Sequence, residues 1–201
     1  DEMSSRGLGD VYKRQIEPSA EKIYRHSDLI VKVKEPQASE CEWLREDQIL
    51  FGYLHLAAEP KLADALAKKK VTAIAYETVT DKHGRLPLLQ PMSEVAGRLS
   101  IQAAAMALIK PVGGKGVLMG GVPGVAPANV IVLGGGVVGS NAITMALGLG
   151  AKVTVFDTSV ERLRELAAQF GPALQTRVAS KQALRELCLL YTSPSPRDDI
   201  S

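Results

Sequence analysis

Asn129-Val-Ile-Val-Leu-Gly-Gly-Gly-Val-Val-Gly-Ser-Asn141, and after a helical stretch Ala151-Lys-Val-Thr-Val-Phe-Asp157, is the segment whose reading decides the fold. Val130 to Leu133 is a short apolar run, as a strand buried on both faces requires. It leads directly into Gly134-x-Gly136-x-x-Gly139. In this pattern the first glycine permits a tight turn, the second admits a pyrophosphate close to the backbone, and the third lets helix and strand pack. A helix opening near Val137 would direct its N-terminal N–H groups and positive dipole end at the same place. A second apolar run, Val153 to Phe156, ends in Asp157, at roughly the twenty-residue spacing expected of the acid that binds an adenosine ribose. Strand, glycine turn, helix, strand and acid in this order predict a dinucleotide site of Gly134, Gly136, Gly139 and Asp157. A carboxylate accepts from a ribose 2′-hydroxyl and repels a 2′-phosphate, so NAD is favoured over NADP. Arg162 lies close enough to act on a phosphate, although pairing with Glu161 or Glu165 is the plainer role.

The same stretch must be tested against a membrane span, since no charged residue falls between Gly116 and Ala151. Pro123, Pro127, Asn129, Asn141 and repeated glycines interrupt every window long enough to cross a bilayer, so a buried strand–turn–helix is the better account. The remaining composition is that of a globular chain: 46% hydrophobic and 23% charged residues are enough for a core. A net charge of +2 gives no reason to expect nucleic acid or an acidic membrane as partner. Two cysteines, Cys41 and Cys188, are too few for a disulfide framework and suit a reducing compartment.

Upstream, apolar runs alternate with helical patterns. Leu29 to Lys34 reads as a strand with Val31 and Val33 on one face and Lys32 and Lys34 on the other. Ser39-x-x-Glu42 is a capping-box pattern for a helix through Trp43 and Leu44. Ile49 to Leu56 reads as a strand carrying His55 near its C-terminal end. An amphipathic helix from Pro60 turns Leu62 and Leu66 inward, and Val71 to Tyr76 is a third strand. Such alternation implies a parallel sheet, and ligands gather beyond the C-terminal ends of its strands. Lys34 and His55 both fall there, on consecutive strands, which makes them candidate site residues rather than a solvated lysine and a core histidine. Ser93 opens a long helix in which Val95, Leu99 and Met106 recur at helical spacing. Capping is its default role and a phosphate contact the sharper one. Val160 to Phe170 reads as a further helix and Thr176 to Val178 as a third strand of the nucleotide part. The two ends, Asp1 to Gln15 and Leu189 to Ser201, share no pattern with their neighbours and resemble translated adaptor sequence. They are expected to be non-native, with the native N-terminus missing and the chain stopping within a domain.

Leu29-Ile-Val-Lys-Val-Lys-Glu-Pro36, Ile49-Leu-Phe-Gly-Tyr-Leu-His-Leu-Ala-Ala58, Ala75-Tyr-Glu-Thr-Val79, Leu86-Pro-Leu-Leu-Gln-Pro-Met-Ser-Glu-Val-Ala-Gly-Arg98 and Gly116-Val-Leu-Met-Gly-Gly-Val-Pro-Gly-Val125 resemble the alanine dehydrogenase family. The resemblance runs from about Ser27 to Leu187. It implies an α/β protein with a Rossmann-type NAD domain, here truncated, and a second α/β substrate domain. The expected division is residues 16–90 for a partial substrate domain and 91–188 for a partial NAD domain, between non-native extensions 1–15 and 189–201. The resemblance also implies interconversion of L-alanine with pyruvate and ammonia, NAD as cofactor, no metal, a homohexamer and a cytoplasmic location. Under it Lys34 corresponds to a substrate-binding lysine, His55 to the catalytic histidine, Ser93 to a serine near the cofactor phosphates and Asp157 to the ribose acid. The family's substrate-binding arginine, and its aspartate and asparagine beside the nicotinamide, have no counterpart in this sequence. The 201 residues by themselves are therefore expected to be inactive. The alternative is the NAD-binding soluble part of a proton-translocating transhydrogenase, against which the Leu54-His-Leu-Ala-Ala58 segment speaks.

Overall fold

A computed structural model describes residues 16–185, which fall into two compact units divided between Leu89 and Gln90. The two extensions expected to be non-native, and Cys188, lie outside the described residues. Both units are parallel sheets with helical crossovers, so the α/β class holds. Among the described residues no helix is long and apolar enough to cross a membrane.

The first unit runs α1 (Ala20–His26), β1 (Leu29–Val31), α2 (Ala38–Trp43), β2 (Ile49–Gly52), α3 (Pro60–Lys69) and β3 (Thr72–Ala75), with sheet order β1-β2-β3. Ile30 stands opposite Leu50, and Leu50 opposite Ala73. Ile30, Leu50, Leu54 and Leu66 form the core together with Tyr24, Cys41 and Leu44. The alternation in Leu29 to Lys34 is present, but its sense differs from a simple apolar-inside reading. Ile30 is the buried residue, while Leu29, Val31 and Val33 are exposed. Lys32 follows Ile30 on the inner side and is accommodated because its ammonium meets Glu40 Oε2 at 2.6 Å. The same carboxylate accepts the Gln37 N–H at 2.6 Å, so α2 is capped by Gln37 and Glu40, two residues ahead of the Ser39/Glu42 pattern. Pro36 precedes this cap and cannot itself donate a backbone N–H. Strand β2 is also shorter than expected. Tyr53 still donates to the Val33 carbonyl at 3.1 Å, but Leu54 and His55 turn their N–H groups to Glu77 instead of the ladder.

The second unit runs α4 (Gln90–Ala107), β4 (Asn129–Leu133), α5 (Val137–Gly148), β5 (Lys152–Asp157), α6 (Val160–Phe170) and β6 (Leu174–Val178), with sheet order β4-β5-β6. Val153 and Val155 of β5, the middle strand, are buried, as are Ile143 and Ala146 of α5 and Leu166 of α6. Helix α4 lies against α5 at Gly97, where a Cβ would strike the Val138 carbonyl and come within 2.8 Å of Asn141 Cβ. That contact selects the face of α4. Gly97 and Ile101 are buried, and the periodic stripe Val95, Leu99 and Met106 is exposed. Ser93 sits within α4 and is not its N-cap, because the helix begins three residues earlier at Gln90 and carries Pro91 in its first turn.

Candidate functional site

Strand β4 ends at Leu133, and four glycines between there and the first turn of α5 have different tasks. Gly134 has φ +91°, a left-handed conformation, and donates its N–H to the Phe156 carbonyl at 2.7 Å. Gly136 caps α5, and a Cβ there would meet nothing within 4 Å, so the space in front of it is open to a ligand. Gly139 is buried in the first turn of α5, where a Cβ would collide with the Gly134 carbonyl. The remaining glycine, Gly135, is buried and serves as the anchor. Its N–H donates to Asp157 Oδ2 at 2.6 Å and its carbonyl accepts from Arg162 Nε at 2.7 Å. The other oxygen of Asp157 accepts the Ser159 N–H at 2.8 Å. These backbone donors, Gly135 first and Ser159 next, hold the Asp157 carboxyl below the usual carboxylate range. Arg162 also reaches Glu165 Oε2 at 2.5 Å, which fulfils the plainer of its two expected roles.

A cleft of about 510 Å³ opens over this turn. It is lined by Gly134, Gly136, Val137 and Gly139, and across from them by Ser93 and Ser100 of α4. Ser93 thus reaches the glycine turn from a helical position. The residues present fit a dinucleotide: an open Gly136 at a helix N-terminus, two hydroxyls on the opposite wall, and a terminal acid kept ionised. Ser100 was not singled out by the sequence. Its spacing of two helical turns from Ser93 is the only signal that could have found it.

In the first unit Lys34 and His55 each follow the C-terminal end of one of the neighbouring parallel strands β1 and β2. Lys34 Nζ lies 3.5 Å from Glu35 Oε2. The Glu35 carboxyl is held below its usual range by its own backbone N–H first and by the Lys34 ammonium after it, with the His55 imidazole acting in the same sense. His55 is exposed and lies beyond β2, not in it, at φ +49°. Glu77, directly after β3, accepts the His55 N–H at 2.6 Å and the Leu54 N–H at 3.2 Å through the same oxygen. Burial would raise the Glu77 carboxyl, yet the backbone donors outweigh it and hold the group low. The His55 ring stacks at 12° on Tyr53, centroids 6.1 Å apart. Tyr53 in turn packs edge-on against Tyr76, and its hydroxyl donates to the Leu88 carbonyl at 2.5 Å. Sequence reading placed Lys34 and His55 at strand ends but passed over Glu35 and Glu77. The signal available was the charged residue at the corresponding C-terminal edge of a parallel sheet. An ammonium can pair with an anionic group, and an imidazole can give or take a proton.

Comparison with known proteins gives the same picture for both units. Residues 13–96 match the alanine dehydrogenase/PNT N-terminal domain, and residues 100–190 match the alanine dehydrogenase/PNT C-terminal domain. The chain is 53% identical over 166 residues to alanine dehydrogenase of Methanococcus maripaludis, a match covering 83% of this chain and 44% of that protein. A solved L-alanine dehydrogenase superposes with a TM-score of 0.77 at 48% identity, over 86% of this chain and 48% of that one. The transhydrogenase from Sinorhizobium meliloti superposes with a TM-score of 0.65 at 23% identity, over 84% of this chain and 49% of that one, a likeness of fold alone. The chain spans under half the length of the curated relatives it matches. With both halves matched in order and at such identity, the chain belongs to the alanine dehydrogenase/PNT family.

Proposed function

We propose that the protein carrying this chain is an NAD-dependent alanine dehydrogenase, converting L-alanine reversibly to pyruvate and ammonia. The observation that carries this reading is the place of Lys34 and His55 beyond the C-terminal ends of two neighbouring parallel strands, in a chain about half identical to alanine dehydrogenases. Gly134, Gly136 and Gly139 would hold the pyrophosphate of NAD, with Ser93 on the facing wall and Asp157 at the adenosine ribose. NAD held there would supply the acceptor for the hydride that leaves the substrate carbon. The Lys34 ammonium pairs with the substrate carboxylate or polarises the keto oxygen, and a ring nitrogen of His55 exchanges a proton with the carbinolamine hydroxyl. Arg162, tied to Gly135 and Glu165, supports the ribose end of the site indirectly. Residues 16–90 serve as part of the substrate domain and 91–188 as part of the NAD domain. The family supports a homohexamer, and the unpaired, buried Cys41 suits a reducing cytoplasm. A transhydrogenase component draws support from the shared alanine dehydrogenase/PNT family and from a likeness of fold, but from no relative at comparable identity.

The test is made on the complete protein with L-alanine and NAD, following NADH absorbance. Turnover is expected, and His55→Ala should abolish it while leaving the NAD dissociation constant and melting temperature nearly unchanged. Absence of turnover in a folded, NAD-binding preparation, or a large stability loss in His55→Ala with proportional residual activity, would remove this reading.

A further inference from the structure

His55 is one of three non-glycine residues with positive φ among those described, with Asp47 and Lys70. Lys70 is explained by its place as the C-cap of α3. His55 has no such role, and an L-residue keeps this conformation only where its surroundings over-determine it. Both backbone polar groups of His55 are held. Its N–H goes to Glu77 Oε1 at 2.6 Å, and its carbonyl accepts the Ala58 and Glu59 N–H groups at 2.9 and 3.1 Å. The preceding N–H, of Leu54, goes to the same Glu77 oxygen at 3.2 Å. The bonds to the carbonyl close a turn that could form in any chain. The Glu77 carboxylate is the contact brought in from another strand end, more than twenty residues away.

We propose that Glu77 is the positioning residue for His55. Its carboxylate gathers two successive N–H groups, ends β2 at Gly52, and keeps residue 55 in the left-handed conformation that leaves the imidazole exposed above Tyr53. An ionised acceptor is suited to this task because charge-assisted hydrogen bonds are shorter and stronger than neutral ones. Glu77 does not itself exchange the substrate proton. It acts through where it sets His55.

The catalytic arm of the test rests on the alanine dehydrogenase reading, whereas the conformational arm does not. Both use the complete protein carrying Glu77→Gln or Glu77→Leu. Glutamine retains the oxygen that accepts both N–H groups, so Glu77→Gln should keep turnover within about tenfold of the parent. Glu77→Leu should lower kcat by on the order of a hundredfold, the scale of a misplaced catalytic group, with KM for L-alanine and the NAD dissociation constant changing far less. Its crystal structure should show residue 55 at negative φ. A Glu77→Leu protein that keeps residue 55 at positive φ, or a Glu77→Gln protein as impaired as Glu77→Leu, overturns the proposal. Should Glu77→Leu fail to fold, amide hydrogen exchange in Glu77→Ala, which lacks the accepting oxygen and adds no apolar bulk, decides. Faster exchange at Leu54 and His55 alone supports the clamp, and unchanged protection overturns it. If the parent protein binds NAD without oxidising L-alanine, the functional reading falls, and the φ angle at residue 55 still decides the role of Glu77.

Discussion

At the residue scale, the glycine turn divides its work among positions that look alike in sequence. Gly135 binds Asp157 with its N–H and Arg162 with its carbonyl, so the acid proposed to read the ribose also braces the glycine loop. Two substitutions separate these roles. Asp157→Ala removes both, and loss of a hydrogen bond to a charged group, about 1.5–3 kcal/mol, should weaken NAD by roughly ten- to a hundredfold. NADP should lose much less, because the charge repelling its 2′-phosphate leaves at the same time. Asp157→Asn retains an oxygen for Gly135 and should shift preference towards NADP with a smaller loss of NAD. Titration of both nucleotides against both variants checks this, and equal losses for the two nucleotides would contradict the assignment. Gly139→Ala is a packing test. Its Cβ would enter the space of the Gly134 carbonyl, backbone that cannot move aside cheaply, so a fall in stability of about 1–3 kcal/mol is expected in denaturant titrations.

At the element scale, several carboxylates of the first unit are held below their ordinary range by partners that exist only in the fold. Burial alone would raise Glu40, but Lys32 and the Gln37 N–H outweigh it. A group whose folded pKa lies below its unfolded value, about 4.3 for glutamate, adds stability above that value. It loses that stability as pH falls through the lowered folded pKa. The melting temperature should therefore decline from about pH 4 downwards, where unfolded glutamate protonates first. Glu40→Gln should melt lower at neutral pH and show a flatter acid limb, since Glu35 and Glu77 remain to titrate in the same sense. Calorimetry across pH 3–7 measures it, and an unchanged acid limb would show that the Lys32 pair contributes nothing. The shortness of β2 has a related origin. Leu54 and His55 leave the ladder for Glu77, so a side-chain carboxylate sets where this strand stops.

At the scale of the whole molecule, much apolar surface stays uncovered. Val95, Leu99 and Met106 of α4 are 57–64% exposed, and Leu133 on the edge strand β4 is 68% exposed. Contiguous apolar surface and unpaired strand edges drive association in water. The 201-residue chain is expected to self-associate as its concentration rises, and Leu99→Glu with Met106→Glu should reduce that association without loss of helix signal. Sedimentation velocity tests it. A monodisperse monomer for the parent at high concentration would contradict the expectation.

The local order of the glycine turn, α5, β5 and Asp157 was legible in the sequence because each step rests on neighbours in the chain. Gly134 needs positive φ, the apolar runs need burial, and α6 spans the residues its period marked. The α/β class followed from alternating patterns for the same reason. Three features were not legible, because each depends on contacts between residues distant in sequence. Which stripe of α4 is buried was decided by Gly97 meeting Val138, and the regular apolar spacing of Val95, Leu99 and Met106 does not mark that face. The inner face of β1 is the one on which Ile30 packs with Leu50 in the core, and Glu40 lets Lys32 stand on that face. The place of His55 was decided by Glu77 across the sheet. Periodicity and turn chemistry act over a few residues and could be read directly from the chain. Burial of a face and the posture of a site residue are set by whatever the tertiary fold brings opposite, and only the three-dimensional structure contains that partner.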